Sequence, residues 1–184
     1  MQVKETPIQG LVEIIPTLYQ DSRGWFYELY KEPTFKAAGI EYDFVQENQS
    51  FSKQGVVRGL HFQHAPFQQA KLAAVLVGKV LDVVVDLRPA SSTFGQVYTC
   101  ILDDKKRNML MVPEGFAHGF AALEDTIFSY KCSNVFDKAS EGGIIWNDPQ
   151  LNIDWKIEHP IVSEKDQLLP TLDELLRKSL ISRS

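Results

Sequence analysis

Residues 55–63 read Gly-Val-Val-Arg-Gly-Leu-His-Phe-Gln. The short apolar residues are those of a buried strand, yet Arg58 and His61 are set into it. A cation and an imidazole are costly to bury unless something pairs with them. Strand parity places Val57, Gly59, His61 and Gln63 on one face and Val56, Arg58, Leu60 and Phe62 on the other. Arg58 and His61 therefore point oppositely unless Gly59 marks a bulge, as strand glycines often do. His61 fits either a core histidine satisfied by backbone or a chemical group.

On both sides of this stretch the pattern is short apolar runs separated by turn residues. Leu11–Pro16 and the aromatic Trp25–Tyr30 read as strands, with Asp21–Gly24 a turn between them. Further strands are expected over Phe44–Ser52, Val56–Gln63, Lys71–Val77, Val80–Leu87, Gly95–Leu102, Met109–Val112, Phe116–Leu123 and Thr126–Cys132. Spacing of this kind, with no long amphipathic helix between the runs, predicts an antiparallel sandwich or barrel and not βαβ units. Two helices are expected. One covers Pro33–Ala38, with Pro33 at its start and Gly39 past its end. The other follows Thr171-Leu-Asp-Glu174, a capping box ahead of an apolar run, and extends over about 171–181. With no repeat or linker, the 184 residues are expected to form one domain.

The net charge of -5, with no block of like charge, argues against nonspecific binding to nucleic acid or anionic membranes. Cys100 and Cys132 lie inside apolar runs and are expected to be buried free thiols. The first residues carry no apolar leader pattern, so a cytoplasmic location is expected.

Other polar residues carry similar ambiguity. In PEGFAHGF, parity groups Glu114, Phe116, His118 and Phe120 against the small Gly115, Ala117 and Gly119, sending His118 toward an aromatic interior. Tyr130 shares a face with Phe128; its phenol fits an acid or a hydrogen-bonded core group. Lys71, at a strand start, reads as an ordinary lysine with a solvated head. Asp82 and Asp86 read as a solvated face or as turn partners. A metal set of His61, His64, Glu114 and His118 can be assembled on paper, but HFQH lacks the two-apart histidine pair that metal-binding barrels of this kind use. No metal is expected. GxSxG, P-loop and GxGxxG patterns are absent.

Taken in order, DSRGWFYELY, FVQENQSFSKQGVVRGLHFQ, KLAAVLVGKVLDVVVDLRPASSTFGQ, VPEGFAHGF, YKCSNVF and EGGIIWNDP closely resemble the dTDP-4-dehydrorhamnose 3,5-epimerases. The resemblance runs from about Gly10 to Asp166. It implies a cupin-type antiparallel jelly-roll β-sandwich, a homodimer, no cofactor and no catalytic metal. It further implies a dTDP-linked 4-keto-6-deoxyhexose substrate, with protons removed and returned at carbons 3 and 5, both next to the ketone.

By position, the resemblance makes His61 the general base, Asp166 the carboxylate that orients it, Tyr130 the acid on the opposite face of the sugar, and Lys71 the cation near the ketone oxygen. It makes Arg23, Phe26, Glu28, Gln46, Asn48, Arg58, His118, Phe136, Glu141 and Lys165 substrate contacts, those around Arg23–Glu28 reaching the site of the partner subunit. Two positions depart from the family pattern. Gln49 stands where histidine is common, and Phe136 where a base-stacking tyrosine is frequent. The competing readings are a carbon-3-only epimerase of another nucleotide-linked sugar, a metal-dependent cupin enzyme and a noncatalytic sugar-binding module.

Overall fold

The computed structural model describes residues 1–181. The chain runs β1 (Gln2–Glu5), β2 (Val12–Ile15), β3 (Tyr19–Asp21), β4 (Gly24–Phe26), α1 (Glu32–Ala37), β5 (Gln46–Ser52), β6 (Val56–Gln63), β7 (Lys71–Val77), β8 (Lys79–Asp86), β9 (Val97–Asp103), β10 (Met109–Val112), β11 (Phe116–Ala122), β12 (Thr126–Cys132), β13 (Glu141–Gly143), β14 (Ile161–Val162), α2 (Glu164–Gln167) and α3 (Leu172–Ile181). One sheet has the order β1-β2-β10-β7-β12-β5 and the other β13-β6-β11-β8-β9; β3 and β4 form a separate hairpin. Among the described residues the ladders are antiparallel except for β14, which adds to β6 in parallel. This is the two-sheet sandwich that the short, evenly spaced apolar runs imply.

The two sheets close on a core in which Ala73, Val75, Leu110, Val112 and Phe128 of the first face Val80, Val84, Leu102, Phe116 and Phe120 of the second. Phe128 stacks on Phe120 with ring centroids 4.3 Å apart. Both outer faces are covered as well. Phe35 of α1 and Ile40 pack on Leu72, Ala74, Met109 and Met111. Ile144, Leu151, Trp155 and Leu172 pack on Leu81, Val83, Val85, Ala117 and Ala121. Strands apolar on both faces, such as KLAAVLV of β7, follow from that double cover.

The capping box forms as read: the Thr171 N–H donates to Glu174 Oε2 at 2.9 Å, and the Glu174 N–H to Thr171 Oγ1 at 3.3 Å. Two expectations need correcting. The strand expected over Trp25–Tyr30 ends at Phe26, because beyond it the chain leaves the hairpin for α1. The N-terminal β1, the short β13 and β14, and the four-residue α2 were not foreseen; each has too few residues for a periodic pattern, and the three strands exist through their pairing partners. Among the described residues no helix is long and apolar enough to cross a membrane.

The bulge at Gly59 is present. Phe120 pairs with Arg58 and His118 pairs with His61, so Gly59 and Leu60 together stand opposite Gly119. The extra residue cancels the parity conflict, and Arg58 and His61 share the inner face. Gly59 has φ 115°, and a Cβ there would lie 2.7 Å from Gly119 Cα and 2.9 Å from the His118 carbonyl oxygen. Gly59→Ala should therefore destabilise the protein by about 2 kcal/mol or more through strain and contact, measured by urea denaturation. A loss under about 0.5 kcal/mol, the level of an ordinary surface change, would mean that the bulge tolerates a side chain.

Candidate active site

At one end of the sandwich the inner faces stop being apolar. Parity carries the face of Ala73 and Val75 to Lys71, that of Phe128 to Tyr130, and that of Phe116 and Phe120 to His118. On edge strand β5, paired to β12, the same face carries Gln46, Asn48, Ser50 and Ser52, opposite Cys132, Tyr130, Phe128 and Thr126. The result is a cleft of about 530 Å³ whose lining includes Ser50, Arg58, His61, Lys71, His118, Tyr130, Lys165 and Asp166. It adjoins a pocket of about 250 Å³ that shares His61, Lys71 and Tyr130 and adds Gln46, Asn48, Phe136 and Glu141.

His61 Nε2 lies 2.8 Å from Asp166 Oδ1. The other carboxylate oxygen accepts the Gly59 N–H at 3.1 Å. Asp166 is buried, at 4 % exposure. It is reached because β14 pairs with Val56 and Val57, leading the chain into α2, where Ser163 Oγ caps the helix by accepting the Asp166 N–H at 3.1 Å. Burial pushes the Asp166 carboxyl up, but the His61 hydrogen bond and charge and the Gly59 N–H outweigh it and hold its pKa below the ordinary value. With Nε2 engaged by the carboxylate, Nδ1 is the nitrogen left to exchange a proton in the cleft.

Lys71 is half-buried on the cleft floor, its Nζ 5.8 Å from the centroid of the Tyr130 ring. Desolvation lowers its pKa, against the pull of the Cys132, Asp82 and Glu141 charges. The solvated-head reading of Lys71 is thus corrected: β7 lies between β10 and β12, and its first inner-facing residue points between the sheets. Burial raises the pKa of Tyr130, with Cys132 adding to the rise.

His118 is buried as expected, with Nε2 2.8 Å from Asp82 Oδ1. The reading of Asp82 as solvated or turn-bound is corrected, since it has no exposure and faces the core. Asp86 is a turn partner, bound by Arg88, Ser91 and Thr93. Arg58 stands at the cleft mouth, Nε donating to Ser52 Oγ at 2.9 Å and Nη2 to the Phe51 carbonyl at 3.1 Å, which leaves further N–H groups for an anion. Lys165 Nζ and Glu141 Oε1 pair at 2.5 Å on the rim.

Three expected residues lie outside both cavities. Arg23, on the β3–β4 turn, is exposed and paired with Asp21 at 2.6 Å. Phe26 is 64 % exposed. Glu28 pairs with Lys31 at 3.2 Å. The paper metal set is not assembled: His61 and His118 are each taken by an aspartate, and His64 packs edge-on against Phe62. Among the described residues no three His, Cys, Asp or Glu side chains are placed to hold a metal ion. Ser50, Ser52 and Ser163 went unnoticed in the sequence. For Ser50 and Ser52, their parity with Gln46 and Asn48 was the available signal.

The model of the dTDP-4-dehydrorhamnose 3,5-epimerase family matches residues 5–174. The chain belongs to that family. It is 44% identical over 167 residues to the dTDP-4-dehydrorhamnose 3,5-epimerase of Methanothermobacter thermautotrophicus, covering 89% of this chain and 90% of that one. The crystal structure of the Elizabethkingia anophelis dTDP-4-dehydrorhamnose 3,5-epimerase superposes with a TM-score of 0.90 at 46% identity, covering 95% of this chain and 97% of that one. The Legionella pneumophila dTDP-6-deoxy-D-glucose-3,5-epimerase, solved in complex with dTDP-4-keto-L-rhamnose, gives 0.90 at 42% identity, covering 94% and 93%. The sandwich is therefore the cupin-type jelly roll of these epimerases.

Within this epimerase fold the Asp166 pairing has a pH signature. Its folded pKa lies below the unfolded value of about 3.9. Its contribution to stability is then fully present above about pH 4 and is lost as pH falls through the folded pKa. Urea denaturation should find Asp166→Asn less stable than wild type at pH 6, the gap closing below about pH 4. Parallel curves through that range would rule out an ionised, paired Asp166.

Proposed function

We propose that this chain epimerises dTDP-4-dehydro-6-deoxy-D-glucose at carbons 3 and 5 to dTDP-4-dehydro-L-rhamnose. The observation that carries the reading is the cleft itself: a carboxylate-held imidazole on one sheet faces a phenol on the other, with an ammonium at the floor. Family membership and the sugar in the Legionella relative support the substrate.

The hydrogen next to a ketone is acidic because the carbanion electrons delocalise onto oxygen. His61 Nδ1 takes that proton, and Asp166 stabilises the resulting imidazolium. The C–H electron pair becomes the enolate C=C bond, and the carbonyl pair moves to oxygen. Lys71 donates a hydrogen bond to that oxygen, and its lowered pKa makes it the stronger donor. Tyr130 then delivers its proton to carbon from the opposite face, which inverts the centre. A single base on one face could only restore the starting configuration. Solvent reprotonates Tyr130 and takes the proton from His61.

Arg58 binds the diphosphate with its free N–H groups, His118, Gln46, Asn48, Glu141 and Lys165 contact the nucleotide sugar, and Phe136 stacks on the base. Arg23, Phe26 and Glu28 act in the cleft of a second copy, in a homodimer. Their position outside this cleft and the exposed aromatic row Tyr19, Trp25 and Phe26 on the same hairpin support that assignment. The enzyme works in the cytoplasm, without metal or cofactor.

The roles of base and acid separate in D₂O. His61→Asn should fold and lose both solvent exchange and inversion by several orders of magnitude, roughly the 10²–10⁴ of a general base or more. Tyr130→Phe should still wash deuterium into the substrate from the His61 side while failing to invert it. NMR of both carbons reads the two rates. Inversion near the wild-type rate in Tyr130→Phe would remove the phenol from the mechanism, and deuterium at carbon 3 alone in the wild type would leave a carbon-3 epimerase.

A further inference from the structure

Phe136 stands on the segment between β12, which ends at Cys132, and β13, which begins at Glu141. The segment is neither strand nor helix, and Phe136 is 53 % exposed. Two glutamines hold its backbone, one from each sheet. From β5, Gln46 Oε1 accepts the Phe136 N–H at 2.9 Å. From the last position of β6, Gln63 reaches the residues on either side. Its Oε1 accepts the Asp137 N–H at 2.7 Å, and its Nε2 donates to the Val135 carbonyl at 3.0 Å. The same Nε2 donates to the Phe67 carbonyl at 2.6 Å. A backbone N–H can only donate and a carbonyl only accept, so the sense of the Gln63 amide is fixed by the chain around it. Gln63 is 7 % exposed and lines the smaller pocket together with Gln46 and Phe136.

We infer that Gln63 is a positioning residue for base recognition: it clamps the peptide groups that flank Phe136 and so aims that ring at the nucleobase. Both amide hydrogens of Gln63 are taken by the Phe67 and Val135 carbonyls, which leaves none to donate to a ligand. Its influence on a ligand therefore passes through Phe136. Phenylalanine has no polar tip by which its ring could be tied, so the direction of the ring is set from the backbone. A loosely held ring would have to be ordered each time a base bound, and that ordering would be subtracted from the affinity. With the groups before and after Phe136 both held, the ordering is done when the chain folds. The inference rests on the reading of Phe136 as the residue that stacks on the base.

Two neutral variants test it. Gln63→Met keeps the length of the side chain and removes all three hydrogen bonds; Gln63→Ala removes them with the side chain. Calorimetric titration compares dTDP with inorganic pyrophosphate, which carries the charge without the base. Both variants should weaken dTDP about fivefold or more and leave pyrophosphate within about twofold, because stacking on an aromatic ring contributes to the first ligand alone. In a Phe136→Ala background, Gln63→Met should weaken dTDP by no more than about a further twofold, since a residue that acts through the ring then has nothing to act on. Turnover of dTDP-4-keto-6-deoxyglucose should show the same split, with KM raised and kcat kept. Should one variant fail to fold, the other decides. An equal loss of pyrophosphate, or the same loss of dTDP with and without the Phe136 ring, would overturn the inference and make Gln63 a general support of the pocket. Full dTDP affinity in the Gln63 variants, beside a weakened Phe136→Ala, would sink the inference alone. Full dTDP affinity in Phe136→Ala would sink the stacking reading and the inference together, and a wild type that does not bind dTDP would sink the dTDP-sugar reading beneath both.

Discussion

The Asp166 carboxylate joins two demands of the structure. One oxygen accepts the Gly59 N–H, which the bulge in β6 has taken out of the strand ladder, and the other accepts from His61. A buried backbone donor without a partner would cost about 1–3 kcal/mol, so the bulge requires an acceptor at that point. The bulge in turn is what brings Arg58 and His61 to one face. Backbone satisfaction and orientation of the imidazole are therefore one interaction, and removing the carboxylate removes both. The docking of β14 and α2, more than a hundred residues away in sequence, is needed to deliver it.

The cleft is the polar end of an otherwise apolar interior. Each inner-facing row runs from core residues such as Val75, Phe128 and Phe116 into an ionisable or amide group, Lys71, Tyr130 or His118, without breaking parity. The same covering layers that make the sandwich stable also shield the cleft and enlarge the pKa shifts within it: Lys71 is pushed down and Tyr130 up. The overall charge of the chain is negative, yet Arg58, Lys71 and Lys165 converge on this end. Local convergence outweighs net charge because water and salt screen the distant carboxylates within about one Debye length.

Histidine chemistry illustrates how placement decides between similar residues. His61 and His118 each hold an aspartate at 2.8 Å and pair directly across β6 and β11. Their surroundings differ. His118 and Asp82 are almost wholly shielded, whereas His61 is partly open to the cleft, its side chain 31% exposed. Only the partly open imidazole has both a fixed carboxylate behind it and room in front of it for a substrate carbon.

Much of the sandwich was legible in the sequence, because alternation, turn residues and the Thr171–Glu174 capping box are local signals that act wherever the chain lies. The bounds of β6, β7, β10 and β12 follow from them directly, and so does the shared face of Phe128 and Tyr130. The family was legible through the ordered motifs that resemble it. What local signals could not carry was pairing at a distance. Whether Gly59 is a bulge depends on Gly119, whether Lys71 is solvated depends on the sheet above it, and Asp82 looked like a surface carboxylate until His118 was placed against it. The short β13 and β14 form only because β6 offers them an edge. Sequence by itself determined which residues alternate and where the chain turns; the tertiary structure alone decided which polar groups are buried together, because burial and hydrogen-bond partnership are properties of the assembled layers and not of any one strand.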